Sequence, residues 1–468
     1  MSDRQEGKKY EVVIIGAGPA GLAAAATAAR YGVPVCLVES SHQVGGRYFK
    51  YAKRTFRSEQ LLNLMLREVS INRSSELLCG ASAIWIERQT DGSFKILLKT
   101  RFGLTAVEAH TVIIAVGAYE RHLPFPGWTS RCVLSMGAAQ MLLRSDCLNS
   151  IKRAVLSGTG PLLWKVASEM CDNGIKVMVV SFASLSHCLK QFQALATCPR
   201  ELIEAIACLL SIVRHSARVL FRHAVVFVNA KNDVEVFVAP VDEVGAPNIS
   251  ESISHRCDLV AIGHGLLPNL LLTRAIMCAH RYDEHLKSWL PICTELLETS
   301  VEGLFVAGEV ASVGGFRKAV TEGRIAAYAA LHRIGIIKEG ELKKRCSKLL
   351  AINSKLVRVA RRLNATPGMD GWWRWLPNDT VLCRCEDVTA GEVRQGVQWL
   401  VCDCDDMNLL KFVTRIGMGY CQGRTCENAI EAFIKLQHRT SSKTIVPLNI
   451  RFPIEPIRFE EIAVCTEA

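Results

Sequence analysis

One short glycine-rich segment near the amino end constrains the fold more than any other feature. Residues 10–15 (YEVVII) predict a buried strand, and residues 16–21 (GAGPAG) predict a tight turn. Residues 22–32 (LAAAATAARYG) predict a helix that ends at a glycine, and residues 33–39 (VPVCLVE) predict the next strand. This order of strand, turn, helix and strand is typical of a dinucleotide-binding Rossmann unit.

Each residue type in this turn has a physical purpose. Gly16 permits the sharp turn, Gly18 lets the backbone approach a pyrophosphate, and Gly21 lets the helix pack on the strand. The first turn of the helix directs N–H donors at the phosphates, and Glu39 ends the second strand where a carboxylate can bind ribose hydroxyls. The predicted nucleotide-binding residues of this unit are Gly16, Gly18, Pro19, Ala20, Gly21 and Glu39.

Three later segments favour FAD as the nucleotide. Residues 42–47 (HQVGGR), 111–127 (TVIIAVGAYERHLPFPG) and 303–327 (GLFVAGEVASVGGFRKAVTEGRIAA) resemble, in this order, three motifs of flavoproteins with two dinucleotide-binding domains. Such proteins usually have Asp where this chain has Glu309, so we expect a different reach to the ribitol. The residues assigned to FAD in these segments are Gly45, Gly46, Arg47, Gly117, Gly308, Glu309 and Gly315.

A second dinucleotide-type unit is inserted between the FAD segments, and its fingerprint is incomplete. Residues 154–181 repeat the pattern of strand, turn, helix and strand, with Gly158 and Gly160 in the turn. Leu163 stands where the third glycine would allow close packing, and Ser181 stands where an acid would bind the ribose. Two interpretations remain open: a structural relic or altered nucleotide site, and a working NAD(P)H site.

Composition restricts the partners and the compartment. The 19 cysteines are scattered over 468 residues, which favours a reducing cytoplasm over a disulfide-rich secreted protein. The net charge is +11, but the basic stretch at 214–223 (RHSARVLFRH) alternates with aliphatic residues, as on a solvated or subunit-facing surface. We therefore expect no nucleic-acid partner, and no apolar run predicts a transmembrane segment.

Cysteines near the carboxyl end form a different pattern. A C-x-C pair at 383–385 and a C-x4-C pair at 421–426 are separated by 35 residues. Four thiolates in two close pairs suit a [2Fe-2S] cluster or a zinc ion, and four ordinary buried thiols are the third interpretation. Cys402 and Cys404 offer an alternative first pair, but neighbouring aspartates disfavour a negative cluster there. The cluster is favoured, with Cys383, Cys385, Cys421 and Cys426 as the predicted metal ligands.

The segments together predict an α/β fold: a two-dinucleotide-binding-domain flavoprotein with a small α-rich [2Fe-2S] module at the carboxyl end. The FAD domain is Rossmann-like, and a degenerate NAD-type domain interrupts it. The predicted divisions are the first FAD-binding segment at 1–120, the inserted NAD-type domain at 121–254, the second FAD-binding segment at 255–335, a helical linker at 336–380, the cysteine module at 381–440 and an extended tail at 441–468.

The order of these motifs resembles one family over nearly the whole chain. CRCEDVT at 383–389, GMGYCQGRTC at 417–426 and the tail NIRFPIEPIRF at 449–459 are the specific elements. They resemble the alpha (A) subunits of opine oxidases (octopine and nopaline dehydrogenases), hydroxyproline dehydrogenase and hydrogen cyanide synthase. The resemblance implies an electron-transfer subunit with FAD and a [2Fe-2S] cluster. It also implies a hetero-oligomer with a beta subunit of the D-amino-acid-oxidase type, and it leaves open an interfacial FMN, a small third subunit and peripheral contact with the inner membrane.

No residue is assigned to catalysis. No general base pairs with a substrate-binding arginine, because Arg121 and Arg317 lie in flavin motifs and His122 and His264 are interpreted as structural or flavin-proximal. Two rival hypotheses remain. One is a self-sufficient NAD(P)H-dependent flavin reductase that passes electrons through the cluster to a protein, and the other is a scaffold that binds flavin and zinc without catalysis.

Overall fold

The amino-terminal region of the chain builds a sheet whose central strands are buried on both faces. The computed structural model describes residues 8–51, 56–231, 233–400, 406–438 and 445–463. The first elements are β1 (Lys8–Ile15), α1 (Pro19–Ala29), β2 (Val35–Glu39), α2 (Gly46–Tyr51), α3 (Phe56–Ile71), β3 (Ser75–Cys79), β4 (Ser82–Arg88), β5 (Phe94–Thr100), β6 (Gly103–Ile114) and β7 (Ala118–Glu120). The sheet order is β3-β2-β1-β6-β5-β4, with β1 parallel to β2 and β6.

A second parallel sheet follows, as the repeated pattern predicts. Its elements are β8 (Val133–Ser135), α4 (Met136–Arg144), β9 (Arg153–Gly158), α5 (Pro161–Asp172), β10 (Lys176–Ser181), α6 (Leu185–Ala194), α7 (Pro199–Arg214), β11 (Arg218–Phe221), β12 (His223–Asn229), β13 (Val234–Pro240), β14 (Ile253–Cys257) and β15 (Leu259–Gly263). The sheet order is β11-β10-β9-β15-β8, and β12, β13 and β14 form an antiparallel sheet beside it.

The pairing of strand β15 differs from one predicted domain boundary. The division at residue 255 assigned this strand to the second FAD-binding segment, whereas β15 pairs in parallel with β9 and β8 in the inserted sheet. The chain therefore leaves the inserted unit after Gly263. The physical reason is that β15 completes the parallel ladder between β9 and β8, a long-range pairing that local sequence does not specify.

The chain then returns to the first sheet. The elements are β16 (Leu266–Pro268), α8 (Leu271–Ala275), β17 (His280–Asp283), β18 (Ser288–Pro291), β19 (Leu304–Val306), α9 (Phe316–Arg333) and α10 (Glu339–Leu363). Strand β19 pairs in parallel with β6. Strand β16 pairs antiparallel with β7, so the segment that enters the inserted unit lies beside the segment that leaves it. Helix α9 packs closely on α1, because a Cβ atom on Gly323 would lie only 2.1 Å from the Ala20 carbonyl oxygen.

The cysteine-rich end is built from short helices; its cysteine module packs on the inserted unit, and its last helix packs against β6 of the first sheet. Its elements are α11 (Asp370–Trp375), β20 (Val381–Cys383), β21 (Val388–Thr389), α12 (Ala390–Trp399), α13 (Met407–Thr414), α14 (Glu427–His438) and α15 (Phe459–Ala463). Buried Trp372, Leu382 and Ile430 share one apolar core with Val225 and Val236 of the inserted unit. The module is therefore fixed to the inserted unit by a continuous core.

Candidate functional site

The fingerprint turn and the second glycine pair form one backbone surface. The Gly16 N–H donates to the Val38 carbonyl at 2.8 Å, and Gly45 donates to the Ala17 carbonyl at 2.8 Å. A Cβ atom on Gly46 would lie 2.9 Å from the Gly18 Cα atom, so the second glycine pair tolerates no side chain at this contact. The structure thus joins two segments that the sequence analysis treated as separate motifs.

Glu39 lies at the predicted position at the end of β2. Its Oε2 atom accepts the Ala17 N–H at 2.9 Å, and its Oε1 atom accepts the Ser41 N–H at 2.9 Å. The side chain is buried, and it borders a cavity. A carboxylate held by two backbone donors keeps further lone pairs for ligand hydroxyls, as ribose binding requires.

The cavity has a volume of about 1900 Å³ and lies between the two dinucleotide-type units. Two predicted residues stand behind its wall: Gly21, whose Cβ would lie 1.8 Å from the Gly16 carbonyl oxygen, and Gly45, which supports the turn. The predicted FAD residues that line the cavity are Gly16, Gly18, Pro19, Ala20, Glu39, Gly46, Arg47, Gly117, Gly308, Glu309 and Gly315. A continuous glycine-rich wall with oriented backbone donors fits an extended dinucleotide.

Glu309, which replaces the usual aspartate, turns toward the start of α9. Its Oε1 atom accepts the Gly315 N–H at 3.3 Å, at the N-terminus of that helix. Burial raises the pKa of Glu309, while the charge of Lys318 and the backbone N–H of Gly315 act in the opposite direction. The extra methylene therefore lets the carboxylate reach the helix N-terminus while it remains in the cavity wall.

Sequence reasoning missed a buried ion pair behind this motif. Lys318 and Glu322 are both almost fully buried and contact each other on α9. Lys318 also donates to the Ser312 carbonyl at 2.8 Å, and Glu322 accepts the Gly308 N–H at 2.9 Å. The signal available in the sequence was a Lys with a Glu four residues later on the apolar inner side of the helix.

Glu120 is a second residue that the sequence analysis missed. It borders the cavity and accepts the Ser135 hydroxyl at 2.7 Å and the Gly137 N–H at 3.0 Å, at the start of α4. His264 borders the same cavity, and its Nδ1 atom has no hydrogen-bond partner among the described residues. Burial, together with the nearby His122 and Arg121, lowers the pKa of His264 to about 3. This histidine is therefore neutral at physiological pH.

The two arginines of the flavin motifs make structural contacts. Arg121 is buried and donates to the Thr366 hydroxyl at 2.8 Å and to the Lys287 carbonyl at 2.9 Å. Arg317 pairs with Glu201 at 3.0 Å and so links α9 to α7. These contacts tie the flavin motifs to neighbouring elements.

The glycine-rich turn of the inserted unit lines the same cavity. The side chains at its two altered positions pack or form hydrogen bonds within the protein. Gly160 caps α5 with a φ of +83°, and it lines the cavity. Leu163 is buried in the core of the inserted unit, and the Ser181 hydroxyl donates to the Ala183 carbonyl at 3.2 Å. The side chain at the position that would bind a ribose is thus engaged in a local hydrogen bond.

The four predicted metal ligands form two thiol pairs. Cys383 interacts by a hydrogen bond with Cys426, and Cys385 with Cys421. The hydrogen bond with Cys426 and nearby backbone N–H groups lower the pKa of Cys383 to about 6. A Cβ atom on Gly419 would lie 2.2 Å from the Cys385 Cβ atom, so a glycine is required beside the sulfurs.

The two thiol pairs also interact with each other. The hydrogen bond to Cys383, burial, and the charges of Cys383 and Cys421 all raise the pKa of Cys426. Burial, the hydrogen bond to Cys421 and the nearby charge of Cys383 raise the pKa of Cys385. Within the described ranges, no group of three or more His, Cys, Asp and Glu side chains is already arranged as a metal-ligand set. The alternative pair, Cys402 and Cys404, lies outside the described residues.

The segment between the second pair of cysteines reaches the cavity of the predicted FAD residues. Arg424 lies between Cys421 and Cys426, and it lines this cavity. Its Nε atom donates to the Cys421 carbonyl at 3.2 Å, so the side chain is held close to the cysteine backbone. The second cysteine segment therefore contributes a side chain to the wall of this cavity.

Known proteins share this fold and much of this sequence. A solved L-proline dehydrogenase from P. horikoshii has a TM-score of 0.70 at 16% identity, covering 99% of this chain and 81% of that chain. A solved thioredoxin reductase from T. acidophilum has a TM-score of 0.52 at 21% identity, covering 70% of this chain and all of that chain. These likenesses confirm the predicted Rossmann-type flavoprotein fold.

Curated relatives match along almost the entire chain. The A subunit of the opine oxidase from Rhizobium meliloti is 28% identical over 97% of this chain and 87% of its own length. The HcnB subunit of the hydrogen cyanide synthase from Pseudomonas aeruginosa is 28% identical over 96% of this chain and 97% of its own length. These two relatives confirm the resemblance noted in the sequence. They also agree with the expectation of a hetero-oligomeric complex, because both are named as subunits.

A family model gives the broadest assignment. The model described as pyridine nucleotide-disulphide oxidoreductase matches residues 10–330, which include every glycine-rich segment of the two dinucleotide-type units. In the portion of the chain that the structure describes, no helix is both long enough and apolar enough to cross a membrane. The chain is thus an FAD-type oxidoreductase, and it belongs to the pyridine nucleotide-disulphide oxidoreductase family.

Proposed function

We propose that this chain is the electron-transfer subunit of a flavin-dependent dehydrogenase of opines, such as octopine or nopaline, or of imino acids. The partner would be a beta subunit of the D-amino-acid-oxidase type that oxidises the C–N bond. One observation carries the proposal: Arg424, between Cys421 and Cys426, lines the cavity that the FAD-type residues line. Electron transfer between two centres requires such proximity, and relatives named as opine oxidase and hydrogen cyanide synthase subunits support it.

The residues of the cavity wall suit FAD. The backbone N–H groups around Gly18 and the N-terminus of α1 would hold the pyrophosphate, and Glu39 would hold the ribose. Glu309 and Gly315 would hold the ribitol side. When bound, FAD accepts a pair of electrons from a reduced donor and can release them singly. The protein contributes binding, orientation and a fixed electrostatic environment.

The four thiols suit a [2Fe-2S] cluster, with zinc as the alternative. Cys383, Cys385, Cys421 and Cys426 are the proposed ligands; the hydrogen bond that lowers the pKa of Cys383 raises the pKa of its partner Cys426, as expected of two thiols that share one proton. A cluster of this kind carries one electron at a time. Backbone N–H groups beside the sulfurs, including that of Gly417, would stabilise the negative charge of bound thiolates.

The rival hypothesis of an NAD(P)H-dependent reductase has less support. A nucleotide in the inserted unit would need an acid at the end of β10, where Ser181 instead bonds to its own loop. Close packing of α5 on its strand would need a glycine, but buried Leu163 occupies this position. We propose that the inserted unit is a relic or an altered site. A cytoplasmic location, an interfacial FMN and a small third subunit stay predictions of the resemblance.

Metal and flavin analysis of the purified full chain tests the cluster. We expect iron and acid-labile sulfide together with FAD, and we expect Cys421→Ser to lose the iron while it retains the FAD. Cys278→Ser, at a buried cysteine outside the module, is the control and should keep both. A preparation that contains flavin without iron or sulfide would refute the proposal, as would zinc in place of iron.

Stopped-flow absorbance separates the proposed function from its rival. We expect the flavin of this chain to be reduced only when an opine and the beta subunit are both present. Rapid reduction by NADH in the isolated chain would instead establish the reductase. Reduction by imino acids but not by opines would keep the proposed class and change the substrate.

A further inference from the structure

The extended tail makes contacts to which the proposed function assigns no role. Its Asn449 N–H donates to the Asn408 Oδ1 atom of α13 at 2.8 Å, within the cysteine module. Further along the chain, the Ile454 N–H donates to the Ile84 carbonyl of β4 at 3.2 Å. Residues 446–456, here named the tail strap, therefore connect the cysteine module with the first sheet.

The tail strap binds the loop between Cys421 and Cys426 through the side chain of Gln422. The Nε2 atom of this residue donates to the Arg451 carbonyl at 2.9 Å and to the Pro453 carbonyl at 2.8 Å. Its Oε1 atom accepts the Arg451 N–H at 2.8 Å. The amide thus binds the backbone of the strap with both its donor and its acceptor atoms.

The backbone of Gln422 has a conformation that these contacts help to hold. Its φ is +49°, in the left-handed region that residues other than glycine rarely adopt. Such a conformation persists where the surrounding structure over-determines it. Leu448 of the strap also packs against the loop and the turn before it, because a Cβ atom on Gly417 or Gly423 would lie 3.0 or 2.4 Å from its Cδ1 atom.

The segment that the strap contacts also supplies backbone donors to the first pair of thiols. The Gly417 N–H forms a hydrogen bond with the Cys383 sulfur, and the Cys421 N–H forms one with the Cys385 sulfur. Gly417 contacts the strap directly, and Cys421 precedes the glutamine that the strap binds. A displacement of the strap would therefore displace donors to both sulfurs.

The other end of the strap is anchored beside the cavity. Ile454 is only 5% exposed and packs in the core of the first sheet, and Lys99 of β5 donates to the Pro456 carbonyl at 2.9 Å. Ile454 and Glu455 both line the cavity of the predicted FAD residues. The strap therefore ties the loop of the second cysteine pair to the wall of this cavity.

We infer that the tail strap positions the second pair of thiols, and that Gln422 is the positioning residue through which it acts. The three hydrogen bonds of this residue restrict the loop before any metal binds. Less conformational entropy is then lost when the sulfurs converge on a metal. The inference rests on the proposed function for the identity of the metal, and it adds which segment of the chain holds two of the ligands in place.

Alkylation of the purified full chain, reduced and stripped of metal with a chelator, tests this inference. In Gln422→Ala, iodoacetamide should modify Cys421 and Cys426 at least about tenfold faster than in the unchanged protein, because three hydrogen bonds that hold the loop are lost. Cys171 and Cys278, two buried cysteines outside the module, should keep their rates. Mass spectrometry of proteolytic peptides measures the rate at each cysteine.

Gln395→Ala is the matched control, because Gln395 is an exposed glutamine on α12 of the same module. All four cysteines should react in this variant as in the unchanged protein. Unchanged rates at Cys421 and Cys426 in Gln422→Ala would overturn the inference. So would an equal acceleration at the two cysteines outside the module, since the glutamine would then stabilise the whole fold. The rates are measured without iron, so a chain that never contains iron would refute the proposed function and leave this result unchanged.

Discussion

The Nζ atom of Lys318 lies 2.7 Å from the Glu322 Oε2 atom, and both side chains are almost completely buried. The pair holds the turn that precedes α9. Glu322 accepts the N–H of Gly308, and Lys318 donates to the carbonyl of Ser312. The turn between these two contacts carries Glu309, so the ion pair is a support of the proposed FAD site.

Lys318→Met should destabilise the protein strongly. The change leaves the Glu322 carboxylate buried without its partner, and such a loss costs about 3–5 kcal/mol. Chemical unfolding and the FAD content of the purified variant measure the effect. Lys343→Met, which breaks an exposed pair with Glu339, is the control and should change stability by less than about 0.5 kcal/mol. Equal effects of the two variants would show that the buried pair does not support the turn.

Gly21→Ala should abolish retention of FAD. The added Cβ atom would lie 1.8 Å from the Gly16 carbonyl oxygen, so α1 cannot remain close to the turn that faces the phosphates. The flavin absorbance per protein is the measurement. Gly340→Ala is the matched control, because a Cβ atom there meets nothing within 4 Å. Normal flavin content in Gly21→Ala would contradict the role of this turn.

Glu39→Gln should weaken FAD binding by roughly 10- to 100-fold, the range expected when a charged hydrogen-bond acceptor is made neutral. The amide also presents an N–H group where Ala17 and Ser41 already direct their own donors. Titration of the flavin-free protein with FAD measures the affinity. Glu87→Gln, at an exposed glutamate on β4, should bind FAD normally. If both variants bind alike, Glu39 does not contact the ribose.

His264 should make stability depend on pH. Its pKa is lowered from 6.5 to about 3, so the unfolded chain binds this proton more readily than the folded protein does. The stability that depends on neutral His264 is complete above pH 6.5 and falls as the pH decreases toward 3. Between pH 6.5 and pH 5 the loss is about 1.6 kcal/mol.

The variant His264→Gln removes this titration, so its stability should fall less over the same pH range. Urea unfolding at both pH values gives the two slopes. His215→Gln, at an exposed histidine on the surface, should keep the slope of the unchanged protein. An unaltered slope in His264→Gln would assign the pH dependence to other groups.

Local sequence was sufficient where neighbouring residues determine the geometry. The turn at 16–21 and the helix after it lie together because adjacent residues allow only a few backbone conformations. The spacing of Cys421 and Cys426 likewise places two thiols in one short segment. The class of fold, the FAD-type wall and the four cysteines were therefore predicted from the chain itself, whereas the pairing of Cys383 with Cys426 and of Cys385 with Cys421 joins distant segments.

Only the tertiary structure decided what depends on distant segments. The place of β15 in the inserted sheet, the contact of Gly18 with Gly46, and Glu120 at the cavity all arise from long-range packing. The attachment of the cysteine module through Trp372 is of the same kind. A sequence pattern reports which side of an element is apolar, but the element that covers this side is chosen by the free energy of packing the whole chain.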